Sequence, residues 1–147
     1  MDYKLLCAQL KALTEDVENE ISKLSNASAL LWQELGDINW AGFYKMEGGI
    51  LVLYPFQGKP ACTKISVGKG VCGTAVSEDR TQLVPDVHQF PGHIACDCAS
   101  NSEIVVPIHV NGEIWGVLDI DSPSLNRFTE ADREGLENFV KILETIL

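Results

Sequence analysis

The sequence predicts an α+β domain: an antiparallel sheet with N- and C-terminal helices packed on one of its faces. Apolar residues recur at three- and four-residue spacing near the start (Leu5, Leu6, Leu10, Leu13, Val17, Ile21, Leu24) and near the end (Leu136, Phe139, Val140, Leu143, Ile146, Leu147). This is the period of amphipathic helices, which need a surface to cover their apolar stripe. Between them, "EIVVPIHVNGEIWGVLDIDS" sets two β-rich runs about Asn111-Gly112, a pair that favours a tight type I′ hairpin. Helices segregated from a run of antiparallel strands give an α+β layer arrangement.

The first helical stretch is expected to run to Ser25, with "NASALLWQEL" continuing as a second helix that Gly36 ends. "INWAGFYKM" and "GILVLYPFQG" predict two strands joined around Gly48-Gly49, with a short strand near "CTKISV". "GKGVCGTAVSED" opens a short helix after a glycine-rich turn. "LVPDVHQFPGHIACDCASNS" lacks periodicity and holds two prolines, so it reads as a long loop, a kind of segment that is often functional. The last helix starts from Thr129 as N-cap, with Asp132 three residues on.

A chain of 147 residues suits one domain, residues 1–147, and a domain of this size buries roughly two-thirds of its unfolded surface. The first twenty residues mix charges with apolar positions, which argues against a signal peptide or membrane helix and for a cytoplasmic location. Five cysteines, an odd number, then read as free, metal-binding or catalytic thiols. A formal charge of −10 disfavours a nucleic-acid backbone or an anionic membrane as partner. A small molecule or another protein fits better.

Regular alternation along the second hairpin strand puts Trp115, Val117, Asp119 and Asp121 on one face and Leu118 and Ile120 on the other. The two aspartates then lie about 7 Å apart along the backbone. Their plainer reading is a solvated strand end. Glu103 lies at the far end of the paired strand, but a register centred on Asn111-Gly112 sets Ile104 opposite Asp119 and turns Glu103 away. Glu103 joins the aspartates only if the chain departs from regular pleating.

Cys7 falls on the apolar side of a helix, where a buried inert thiol is expected. Cys72 lies near a predicted helix start, where the dipole favours thiolate; "GKGVCGTA" matches neither phosphate-binding glycine pattern in full. His88, His93, Cys96 and Cys98 form H-x4-H-x2-C-x-C, which fits no common zinc template.

"VGKGVCGTAV", "DVHQFPGHIACD", "ASNSEIVVPI" and "GVLDIDS" together resemble the free methionine-(R)-sulfoxide reductases, single-domain enzymes of the GAF fold. The resemblance implies a GAF-like sheet, no cofactor, no metal, and three matched cysteines: Cys62, Cys72 and Cys96. It implies that the Cys96 thiolate attacks the sulfoxide sulfur and becomes a sulfenic acid, and that Cys62 condenses with it to a disulfide opened by thioredoxin. Cys72 would be an auxiliary recycling thiol. Glu103, Asp119 and Asp121 would supply counter-charge for the substrate ammonium and a proton for the sulfoxide. Trp40 and Tyr44 would wall the methyl-sulfinyl group, although on the sequence alone both could be core residues. Loop amides about Ala95 would bind the substrate carboxylate, and a homodimer is implied. Cys7 and Cys98 inherit no role. The rival readings are a non-catalytic GAF module that senses a small ligand or redox state, and a zinc-dependent hydrolase or deaminase-like protein, for which the H-x-E motif is missing.

Overall fold

The N-terminal helical stretch breaks earlier than its apolar spacing predicts. In the computed structural model, which describes residues 1–92 and 100–147, α1 spans Tyr3–Thr14 and α2 spans Glu20–Glu34. Two local features cut the chain there. Asp16 takes a left-handed φ of 58°, and the Asn19 side chain accepts from the Ser22 amide at the head of α2. Asp and Asn tolerate that backbone and supply such caps, whereas nothing at Ser25 interrupts α2. Leu6, Leu10, Leu24 and Leu31 enter the core, while Leu5, Leu13 and Ile21 face solvent.

The strands are β1 (Trp40–Glu47), β2 (Ile50–Gly58), β3 (Lys64–Ser66), β4 (Gln82–Val84), β5 (Ser102–Val110) and β6 (Glu113–Ser122). They form an antiparallel sheet in the order β3-β2-β1-β6-β5-β4. β4 and a 3-10 turn at Val87–Gln89 occupy the start of the segment read as loop; three residues before a proline are too few to display alternation. Helices α3 (Gly70–Glu78) and α4 (Glu130–Ile146) complete the order. On one face, α1, α2 and α4 bury Leu6, Leu24 and Phe139 against Phe43, Ile104 and Leu118. On the other, Val71, Cys72 and Ala75 of α3 meet Trp40, Tyr44, Val105 and Val117. Among the described residues, no helix is long and apolar enough to cross a membrane.

Asp132 closes a capping box with Thr129 and accepts from the Tyr3 hydroxyl at 2.6 Å, tying α1 to α4. Burial pushes its carboxyl up, but hydrogen bonds from Tyr3 and Thr129 outweigh that and hold it below the ordinary range. Asp132→Ala is therefore expected to destabilise the fold by about 2–3 kcal/mol, one cap plus one hydrogen bond to a charged group. A denaturant midpoint equal to that of the parent would contradict this.

The hairpin turn forms as predicted, with φ of 55° at Asn111 and 79° at Gly112. Its register then slips. His109 pairs with Ile114, but Ile108 pairs with Gly116, leaving Trp115 as the extra residue of a β-bulge. A one-residue slip reverses the faces that meet across a strand pair. Ile104 thus opposes Ile120, and Glu103 opposes Asp121, which corrects the expectation that Glu103 faces away. The bulge also sends Trp115 to the helix-covered face, not to the face of Val117 and Asp119. A second irregularity, between β1 and β2, pairs Gly42 with Phe56 and Tyr44 with Leu53.

Candidate active site

The acids converge on the sheet face beneath α3. Asp119 lies between Val105 of β5 and Gly42 of β1, and Asp121 between Glu103 and Trp40. From above, α3 lowers Cys72, so that its sulfur and one oxygen each of Glu103 and Asp119 lie within 4.8 Å of one another. Asp119 is 6% exposed and Glu103 8%, while Asp121 is half-buried; of the two aspartates, the solvated strand end expected as the plainer reading does not describe Asp119. Gly42 keeps this floor open, because a Cβ there would lie 2.2 Å from the Cβ of Phe56.

An aromatic wall stands beside the acids. The Trp40 and Tyr44 rings stack 5.8 Å apart, and the β1–β2 irregularity brings Phe56 onto Trp40 at 5.0 Å. Regular alternation conceals Phe56 from the sequence, since the bulge at Tyr54-Pro55 changes its face. The wall also fixes the following loop. Trp40 Nε1 donates to the Lys59 carbonyl at 3.1 Å, and the Tyr44 hydroxyl donates to the Cys62 carbonyl at 2.9 Å. Cys62 is disulfide-bonded; Cys7 and Cys72 are free thiols, so neither is its partner. Cys96, Ala95, Cys98 and His93 lie outside the described residues.

Burial dominates the electrostatics. It raises the Glu103 carboxyl well above its ordinary value, and the charges of Asp119 and Asp121 raise it further. Burial also raises Asp119, against hydrogen bonds from Glu103, Asp121 and Cys72 that pull it down. The cluster therefore holds a proton that exposed carboxyls would have lost. Asp119 Oδ1 is buried with no conventional donor among the described residues, so a proton carried by a neighbouring acid, or a cation, completes it. Cys72 departs from expectation. Burial, then the charges of Asp119, Glu103 and Asp121, drives its thiol well up, overwhelming the helix dipole that was expected to favour thiolate. It is 4% exposed and serves as a protonated neighbour of Asp119. Cys72, Glu103 and Asp119 are compact enough to hold a divalent cation, but the metal would have to displace the protons this environment retains.

The raised Glu103 has a stability consequence of defined sign. A native carboxyl with a raised value binds a proton that the unfolded chain has released, so folding stability falls as pH rises from the unfolded value of about 4.3 up to the raised native one. Glu103→Gln is expected to raise the melting temperature at pH 7 and flatten its decline with pH. A lower melting temperature at pH 7, with the parent's pH dependence, would refute the buried-proton picture.

A GAF domain model matches residues 9–147. The free methionine-R-sulfoxide reductase of Escherichia coli is 54% identical over 99% of this chain and 88% of its own length. The structure of fRMsr of Staphylococcus aureus in its reduced form superposes with a TM-score of 0.97 and 59% identity, over 99% of this chain and 95% of that one. The free methionine-R-sulfoxide reductase of Neisseria meningitidis, solved in complex with its substrate, gives 0.95 and 42%, over 98% of this chain and 87% of that one.

Proposed function

The chain belongs to the GAF domain family, in its free methionine-R-sulfoxide reductase branch, and from that premise we propose that it reduces free L-methionine-(R)-sulfoxide to methionine. The observation that carries the reading is the convergence of Glu103, Asp119 and Asp121 beside the aromatic wall, with Glu103 and Asp119 buried. A sulfoxide is a poor electrophile until its oxygen is protonated or hydrogen-bonded, and a free amino acid brings an ammonium that needs a counter-charge. One cluster serves both needs. It offers a proton to the oxygen and carboxylate to the ammonium, while Trp40, Tyr44 and Phe56 exclude water from the methyl-sulfinyl group.

In the proposed sequence, the Cys96 thiolate attacks the sulfoxide sulfur, methionine departs, and the oxygen remains on Cys96 as a sulfenic acid. The Cys62 thiol then displaces water to form the Cys62–Cys96 disulfide. A dithiol, thioredoxin in this reading, reduces that bridge by exchange. Cys72 belongs to the acid cluster as a hydrogen-bond donor; its burial argues against a recycling role. Ala95 and its neighbouring amides receive the substrate carboxylate. Residues 1–147 act as one GAF domain, as a homodimer in the cytoplasm, without cofactor or metal. The defining experiment offers each epimer of free methionine sulfoxide with thioredoxin and its reductase and follows NADPH. Loss with the R epimer supports the reading, and no loss with either epimer rejects it.

Because the acids hold the substrate's own ammonium, a sulfoxide inside a peptide chain loses a charged hydrogen bond of about 1.5–3 kcal/mol, so efficiency on it should be more than about tenfold lower. Equal rates on an internal peptide sulfoxide would sink the pocket assignment.

A further inference from the structure

The bulge that brings Glu103 into the site is held from the opposite face of the sheet. Its extra residue, Trp115, donates through Nε1 to Glu20 Oε1 at 3.1 Å and meets the Tyr54 ring edge-on at 5.8 Å. Glu20 is the first residue of α2. Its other oxygen accepts from Lys45 Nζ at 3.0 Å and from the Tyr54 hydroxyl at 3.1 Å. The Lys45 ammonium lies 5.3 Å from the centre of the Tyr54 ring and 5.6 Å from that of Trp115. Burial raises the Glu20 carboxyl, but the hydrogen bonds from Lys45, Trp115 and Tyr54 outweigh it and keep Glu20 ionised. This quartet faces the helices, away from the acids, and the reaction does not use it.

Its position matters because two registers are open to the β5–β6 hairpin. Without the bulge, the tight turn at Asn111-Gly112 would continue into pairs that put Ile104 opposite Asp119. Trp115 would then point to the site face and Glu103 to the helix face. With the bulge, Trp115 is on the helix face and Glu103 beside Asp121. A bulge residue has no partner of its own across the ladder, so side-chain contacts decide where it rests. We infer that Glu20, through Trp115 and with Lys45 and Tyr54, is a positioning residue that fixes the bulged register and so holds Glu103 within the acid cluster. The inference rests on the proposed role of Glu103 and adds a determinant on the far side of the sheet.

The test is a double-mutant cycle in kcat and KM on free methionine sulfoxide, with Glu20→Ala, Glu103→Gln and the double variant, each checked by its melting temperature. Glu103→Gln alone tests the site reading: a parental rate there removes Glu103 from the chemistry whatever Glu20 does. If Glu103→Gln is impaired, Glu20→Ala is expected to lower kcat about tenfold in the parent but less than about twofold when Glu103 is already Gln, because the two act through one group. Trp115→Phe keeps the ring contact without the Nε1 donor and supplies a milder second variant if Glu20→Ala folds poorly. Its loss should likewise vanish in the Glu103→Gln background. Losses that multiply independently in both backgrounds, or a parental kcat in both Glu20→Ala and Trp115→Phe, would overturn the inference.

Discussion

Cys96→Ser is expected to form no methionine at all, whereas Cys62→Ser should form one methionine per active site and then stop. The two variants separate because the proposed reaction divides between two sulfurs. The first step needs only a thiolate at the sulfoxide and a proton from the acid cluster; it breaks the S–O bond of the substrate and leaves the oxygen on Cys96. Nothing in that step requires Cys62. The second step needs a thiol to expel the oxygen as water, and without Cys62 the sulfenic acid lacks its partner, so thioredoxin-supported turnover stalls. Cys72 is a poor substitute, since its thiol is buried and held protonated beside Asp119. Rapid quench with methionine counted per enzyme, together with mass analysis of the modified cysteine, reads both outcomes. A single burst from Cys96→Ser, or thioredoxin-driven cycling of Cys62→Ser at the parental rate, would reverse the assignment.

Much of the fold was legible because its signals are periodic. The Asn-Gly turn, the apolar stripe of α4 and its Thr129 cap each follow from local chemistry, and each appears where the sequence puts it. What escaped was aperiodic. The break at Asp16–Asn19 depends on one left-handed residue and one cap, while the apolar spacing runs straight through it. Two bulges decide which side chains face the site, and a bulge leaves no composition signal, because an added Trp115 or Tyr54 looks like one more strand residue. The consequence for Glu103 was large. Regular pleating turned it away, and one extra residue brought it back. The signal that could have found it is energetic. Val105 and Ile104 are both buried, so either face of β5 can be apolar, but only one register gives a glutamate acidic partners and a proton to share. Cys72 shows the complementary limit. Its place near a helix start was readable, but the three carboxyls that govern its thiol come from strands distant in sequence.

Those carboxyls set the second large effect. Asp119→Asn is expected to lower kcat/KM about a hundredfold, the equivalent of two charged hydrogen bonds of roughly 1.5 kcal/mol each. Asp119 is the hub of the cluster, interacting with Glu103, Asp121 and Cys72, and its Oδ1 is buried without a conventional donor. An amide matches its shape, so the sheet should form normally. It carries no charge to hold the substrate ammonium and cannot share a carboxylic proton. The charge of Asp119 also helps hold the proton on Glu103, so removing it lowers Glu103 toward its ordinary value. Activity that depends on this proton is lost as pH rises through the Glu103 value, and the alkaline limb of kcat should therefore move to lower pH in Asp119→Asn. A general loss of folding would depress the whole profile and leave its limb in place. The decisive measurement is thus the pH dependence of kcat for parent and variant, with far-UV circular dichroism to confirm the fold. Unchanged kinetics with an unmoved limb would return Asp119 to a structural role and uncouple it from the proton on Glu103.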